Sequence, residues 1–250
     1  YLFLLTGGSF ILASCNDFLD REPLDSVTPD NFFFTENDLA AYAVKHYNFT
    51  THEGFNAGIW RNDNATDNQA ATDYDKKWIP GQWKVPEAYD NPASNDPWYF
   101  SAIREANYFL ETVVPRFEKG EIEGSETNIK HYIGEMYFLR AKNYLSKLET
   151  FGDFPIIKNT LPDESVSLIQ ASKREPRHKV ARFILEDLDL AIGLLTNTIS
   201  GGKNRITKNA ALLLKSRAAL YEASWLTYHK GTALVPGGPG WPGKAEDIAD

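Results

Sequence analysis

Apolar residues recur along much of the chain at the three- and four-residue steps of a helix face. Tyr99, Ile103, Ala106, Leu110, Val113 and Phe117 follow one another at spacings of 4, 3, 4, 3 and 4, which predicts one buried stripe of an α-helix. Asp96-Pro97 just before them offers an N-cap followed by proline at the first helical position, where its missing N–H costs nothing. A second stripe, Ile133, Tyr137, Ala141, Tyr144, Leu148 and Phe151, stops at Gly152-Asp153-Phe154-Pro155; the turn between the two, over 118–126, holds Gly120 and Gly124. Val180, Ile184, Leu188, Ala191 and Leu195 predict a third helix, ended by Gly201-Gly202. Its acidic residues Glu186, Asp187 and Asp189 read as a solvated face. Thr207 caps a fourth helix with the stripe Ala211, Leu214, Ala218, Tyr221, Trp225 and Tyr228. Upstream, Thr35-x-x-Asp38 resembles a capping box, and it opens a helix that turns Leu39, Ala43 and Tyr47 inward.

Two stretches carry no period. Residues 52–95 are broken by Gly54, Gly58, Pro80, Gly81, Pro86 and Pro92 and are rich in Asn, Asp, Thr and Trp. Loops this long are usually functional or disordered, and the tryptophans argue against disorder, so the stretch is expected to be an ordered, irregular surface loop. A second loop runs from Pro162 to Pro176. The tail over 231–242 is rich in Gly and Pro, and 244–250 begin what reads as another helix that is cut short. Arg140-Ala141-x-x-Tyr144 recurs as Arg217-Ala218-x-x-Tyr221, each time on the second helix of a pair. A small residue lets two helix axes approach, and an aromatic one turn on fills the gap. The expected fold is all-α, tetratricopeptide-like helix pairs joined by long irregular loops. An irregular bundle with a chance match is the alternative.

The N-terminal apolar run ends in the single cysteine of the chain. Residues 1–14 are too short to cross a bilayer, which needs ~20 apolar residues, but suit the core of an export signal. Leu12-Ala13-Ser14-Cys15 then fits a lipoprotein processing site, with Cys15 as the lipidated mature N-terminus. No Met and no Lys or Arg precedes Tyr1, so the chain reads as clipped there. The expected organisation is a signal peptide over 1–14, a lipidated tether over 15–34 and a helical body over 35–250. The competing reading makes Cys15 an ordinary core residue.

Composition narrows the function. A net charge of −8 argues against nucleic acid, which calls for a basic patch, and against adsorption to an anionic membrane surface. One cysteine excludes an intramolecular disulfide framework and any multi-cysteine zinc site. Aromatic residues make up 13% of the chain, and four of its six tryptophans, Trp60, Trp78, Trp83 and Trp98, crowd into one segment. Flat apolar surfaces beside planar polar groups are what a sugar requires. Trp60, Arg61 and Asn62, with Trp78, Trp83 and Tyr89, offer both: Trp83 and Tyr89 for stacking, Arg61 and Asn62 for hydroxyls. The competing reading is that these rings fasten a long loop to the helical body. Asp63, Asp67, Asp73 and Asp75 lack the spacing and central glycine of a calcium loop and read as solvated carboxylates. No histidine pair has ligand spacing, and neither a Gly-x-Ser-x-Gly elbow nor a phosphate-binding glycine loop is present. No catalytic residue, metal or cofactor is therefore expected.

Ordered blocks across nearly the whole chain resemble the SusD/RagB family of outer-membrane nutrient-binding lipoproteins. They are Cys15-Asn16-Asp17-Phe18-Leu19-Asp20, Asn31-Phe32-Phe33, the run from Ile103 through Arg104-Glu105-Ala106-Asn107-Tyr108-Phe109 to Leu110, Glu135-Met136-Tyr137-Phe138-Leu139-Arg140-Ala141 through Tyr144 to Phe151-Gly152-Asp153-Phe154-Pro155, the acidic run Leu185 to Ile192, and Arg205-Ile206-Thr207-Lys208-Asn209-Ala210-Ala211. The resemblance implies a non-catalytic protein, lipid-anchored at the cell surface, that caps a SusC-like TonB-dependent transporter and passes it an oligosaccharide. It also implies that a C-terminal portion, which supplies part of the ligand surface, is missing here. The alternatives are a helical-repeat scaffold that binds no ligand and a lipid-anchored glycoside hydrolase, whose paired carboxylates need only be close in space.

Overall fold

A computed structural model describes residues 32–49, 98–198 and 204–244, together with the backbone of a two-residue antiparallel pair, Ala65–Thr66 (β1) with Gln69–Ala70 (β2). Six helices lie among the described residues: α1 (Glu36–Lys45), α2 (Ser101–Glu118), α3 (Glu126–Phe151), α4 (Ser165–Ala171), α5 (Arg177–Leu194) and α6 (Lys208–Tyr228). The fold is all-α. Helices α1, α2 and α5 each pack on α3, and α6 packs mainly on α5.

The capping box forms as the sequence predicts. Thr35 Oγ1 accepts from Asp38 N at 3.3 Å and Asp38 Oδ2 accepts from Thr35 N at 2.9 Å. Just before it, Phe33 adopts φ 71°, a conformation that disfavours a bulky side chain. Its fully buried ring holds it there, 5.1 Å from Tyr42 and 5.4 Å from Phe109. Glu36 then reaches across to α3, its carboxylate accepting from Ser125 N at 2.7 Å and Asn128 Nδ2 at 3.2 Å.

Helix α3 is the core. Ile129, Ile133, Met136, Phe138, Leu139, Ala141, Tyr144, Leu145 and Leu148 are all buried, which is more than one stripe because three helices cover it. For that reason Phe138 is buried while Tyr137, on the predicted stripe, is half-exposed. At Gly134 a Cβ would lie 3.0 Å from Leu194 Cβ and Leu195 Cγ, so the close approach of α3 to the end of α5 requires the missing side chain. Gly152 ends α3 at φ 72° and ψ −97°, a backbone conformation open to glycine because it lacks a Cβ.

Four expectations are corrected. Helix α2 begins at Ser101, with Phe100 as its N-cap, and Tyr99 lies exposed outside it; Asp96 and Pro97 fall outside the described residues. Trp98 and Phe100 are drawn instead into an aromatic cluster with Phe151 and Phe154, which holds the chain out of the helix. Helix α5 ends at Leu194, not at Gly201-Gly202, which are also undescribed. There Thr196 N donates to His131 Nδ1 at 3.2 Å and leads the chain away. The second loop contains α4, which buries no residue and so showed no stripe. Asp187 is no solvated acid: it is 2% exposed, one turn after Ile184 on the inward face of α5.

The predicted repeat holds at alanine and only partly beyond it. Ala141 and Ala218 are both buried and Tyr144 is fully buried, but Tyr221 is half-buried and Arg217 is exposed where Arg140 is buried. On α6 the stripe fades toward its end. Ala211 and Ala218 are buried, Leu214, Tyr221 and Trp225 half-buried, and Tyr228 is 85% exposed. Tyr47 lies beyond the end of α1, where its hydroxyl accepts from Ile206 N at 3.0 Å.

Buried arginine–carboxylate pairs tie the helices together. Arg140 on α3 meets Asp187 on α5 with two 2.7 Å bonds. Arg177 at the start of α5 meets Glu222 on α6, closest at 2.8 Å, with its guanidinium 3.9 Å above the Trp225 ring. Arg205, just before α6, donates to Glu135 on α3 at 2.9 Å through Nε, and its Nη1 reaches Ala40 O of α1 at 3.2 Å.

Candidate functional site

The predicted ligand residues Trp60, Arg61, Asn62, Trp78, Trp83 and Tyr89, the predicted lipidation site Cys15 and the acidic group Asp63, Asp67, Asp73 and Asp75 all lie outside the described residues. Of the four clustered tryptophans, Trp98 is described. Its ring stacks on Phe151 with centroids 4.5 Å apart and on Phe154 at 5.2 Å, and the Arg174 guanidinium sits 4.7 Å from its centroid. At this position tryptophan fastens the end of the long loop to the helical body.

Beside Trp98 a cavity of about 540 Å³ opens between the start of α2, the segment leaving α3, and α4. Trp98, Phe100, Ile103, Ile157, Leu161 and Leu168 give it an apolar wall, while Arg104, Asn107, Asn159, Ser172 and Arg174 supply its polar groups. Asn107 is fully buried. Its amide donates to Ile157 O at 2.8 Å and Asn159 O at 3.2 Å, and its oxygen accepts from Arg140 Nη1 at 2.8 Å. The segment over 157–159 is thereby held against the Arg140–Asp187 pair. Tyr144 adds to this: its hydroxyl accepts from Ile157 N at 2.8 Å and donates to Ile157 O at 3.2 Å.

A second cleft, of about 470 Å³, lies among α1, α2 and α3 and is more polar. Lys142 donates there to Asn48 O at 2.8 Å and Lys147 to Tyr99 O at 3.1 Å. Burial pulls the Lys142 ammonium below its ordinary value. His46 Nδ1 lies 3.3 Å from Glu105; burial is the largest influence and lowers its pKa, outweighing the opposing pull of Glu105.

Sequence reading missed Asn107, Arg104 and Arg174 as pocket residues. Arg104 and Asn107 sit in the block that carries the family resemblance, but at helical spacing they read as an ordinary polar face. Among the described residues no group of three or more His, Cys, Asp or Glu side chains is placed to hold a metal ion. No helix among them is long and apolar enough to cross a membrane.

Comparison with known proteins adds a family to this geometry. A SusD-like family model, described as "Starch-binding associating with outer membrane", matches residues 17–220. Two SusD-like proteins of Formosa agariphila are each 26% identical to the chain, over 85% and 88% of it and 40% and 41% of their own length. The crystal structure of a SusD-like protein from Bacteroides fragilis superposes with a TM-score of 0.59 at 26% identity, covering 82% of this chain and 38% of that one. The chain thus spans about two fifths of the length of the curated relatives it matches.

Proposed function

The chain belongs to the SusD-like family, and on that footing we propose that it is a non-catalytic surface lipoprotein that binds an oligosaccharide and delivers it to a SusC-like TonB-dependent transporter in the outer membrane. The observation that carries this reading is the family match itself. It begins at Asp17, two residues after Cys15, and ends at Leu220 within α6, under a description that joins starch binding to the outer membrane. Cys15, after Leu12-Ala13-Ser14, is the lipid attachment point. Two or more acyl chains there meet the requirement for stable anchoring.

The glycan lies on the long loop. Trp83 and Tyr89 stack on sugar faces, Arg61 and Asn62 bond hydroxyls, and Trp60 and Trp78 extend the surface. Trp98 supports this assignment by contrast: its ring packs against Phe151, Phe154 and Arg174, so stacking falls to the tryptophans before it.

The test is calorimetric titration of the full-length ectodomain, starting at Asn16, against plant, host and microbial polysaccharides, with product analysis of each mixture. Saturable binding to one glycan class without cleavage is the expected result. Replacing Trp83 by Ala should then weaken affinity by about tenfold, the scale of one lost aromatic stack, at unchanged helicity and melting temperature. Absence of binding across the panel overturns the glycan reading in favour of a scaffold. Release of reducing ends overturns the non-catalytic one.

A further inference from the structure

The cavity beside Trp98 has a chemistry that a hydroxyl-rich sugar does not match. Its volume of about 540 Å³ falls within the ~300–1,000 Å³ of small-molecule sites, and two of its polar side chains, Asn107 and Ser172, are already hydrogen-bonded within the protein. Both amide hydrogens of Asn107 go to Ile157 O and Asn159 O and its oxygen accepts from Arg140, and Ser172 Oγ donates to Ile169 O at 2.7 Å. Sugar hydroxyls set against its apolar wall of Trp98, Phe100, Ile103, Ile157, Leu161 and Leu168 would lose water and find no replacements there. A flat apolar body would lose nothing.

Arg104 and Arg174 are its cationic groups. Both line the cavity, both are exposed, and among the described residues neither forms an ion pair with a carboxylate. In a chain of net charge −8, where the buried Arg140 behind Asn107 is paired to Asp187, two guanidiniums without a carboxylate partner among the described residues, beside one apolar pocket, mark a place for an anion. Arg174 is also held in place: its Cζ lies 4.7 Å from the Trp98 ring centroid, and no carboxylate among the described residues takes its N–H groups. Leu168 and Ser172, on the cavity's outer side, belong to or adjoin α4, a helix with no buried residue. This wall has few packing contacts to lose when a ligand enters.

We infer that this cavity binds a small aryl carboxylate, its ring against Trp98, Phe100 and Ile103 and its carboxylate at Arg104 and Arg174. The inference goes beyond glycan recognition, and it uses none of the residues proposed for the glycan.

The probes are trans-cinnamate and cinnamamide, which share a shape and differ in charge. Each is titrated into the full-length protein by calorimetry and by tryptophan fluorescence. The expected result is saturable binding of one cinnamate per chain, with the amide weaker by about tenfold or more, the worth of one charge-assisted contact. R104Q, which leaves the Arg174–Trp98 contact in place, and the double variant R104Q/R174Q should weaken cinnamate by at least the same factor and leave the amide unchanged. Leu161→Trp, which fills the cavity from a half-buried position, should remove binding of both probes at an unchanged melting temperature. Failure of cinnamate to saturate overturns the inference. So does an amide that binds as tightly as the acid, cinnamate affinity that survives R104Q/R174Q, or binding that survives Leu161→Trp. The glycan titration is independent of all these variants, so either reading can fail without the other.

Discussion

Glu135→Gln tests the claim that buried ion pairs, and not only apolar packing, fix the helices around α3. The Glu135 side chain is fully buried. It accepts from Arg205 Nε at 2.9 Å and also from Nη2, and its Oε1 lies 3.2 Å from His131 Nε2. Arg205 is 12% exposed, and Nη1 bonds Ala40 O, so one guanidinium joins α1, α3 and the entry to α6. Glutamine keeps the shape but turns an N–H₂ toward a donor. One bond to Arg205 is lost and the other drops from charged to neutral, with each charged bond worth ~1.5–3 kcal/mol. Breaking a buried pair from one side costs ~3–5 kcal/mol, because the remaining charge stays buried; the retained acceptor puts this case at the lower end, about 3 kcal/mol. For a domain of 150–250 residues, ~2–4 °C per kcal/mol converts that to a melting temperature lower by roughly 6–12 °C. Thermal and urea unfolding followed by circular dichroism at pH 7 measure it. The double variant Glu135→Leu with Arg205→Leu removes both charges and should recover much of the loss. The reasoning is refuted if Glu135→Gln stays within about 1 kcal/mol of wild type, or if the double variant loses as much as the two single ones added together.

Further outcomes follow from other contacts. Burial is the main cause that pushes the Tyr144 phenol up to about 12, while an unfolded tyrosine ionises near ~10. The unfolded state therefore loses its proton first, and stability contributed by this group is intact below pH 10 and falls between pH 10 and 12. Tyr144→Phe should remove that alkaline loss and, by deleting both bonds to Ile157, cost about 1–2 kcal/mol at pH 7; urea midpoints at pH 7 and 11 measure both effects. Gly124 has φ +133°, and a Cβ there would lie 2.7 Å from Glu36 Cβ. Gly124→Ala should therefore destabilise by roughly 1–3 kcal/mol and free Glu36 from Ser125, and an unchanged melting temperature would contradict this. Cys15→Ala should abolish acylation and move the protein from the membrane to the soluble fraction, and a variant that stays membrane-bound refutes the anchor.

The fold was legible wherever one helix face met one neighbour. Val180, Ile184, Leu188, Ala191 and Leu195 are all buried as the three- and four-residue spacing requires, and the Thr35 box forms as written. Legibility failed where a contact distant in sequence decided a local outcome. Trp98 and Phe100 leave the helical path because Phe151 and Phe154 lie beside them in space. Thr196 ends α5 because His131 reaches it, and Asp187 looks solvated until Arg140 is seen opposite it. A buried arginine and a solvated one give the same letter, which is why Arg140 and Arg217 appeared to be one repeat.

The same distinction explains why the family is easier to read than the cargo. Glu135, Arg140, Asp187 and Arg205, prominent in the blocks that carry the resemblance, are the charges that hold α1, α3, α5 and the start of α6 in register. Asn107, from another of those blocks, pins the segment leaving α3. Such residues identify a scaffold, because any ligand can be bound on the same clipped helices. On the reading proposed above, ligand choice rests with groups that no helical period marks, the aromatic and amide side chains over 52–95. Nothing in the helix pairing constrains these groups, so their chemistry can change with the ligand while the ion pairs stay.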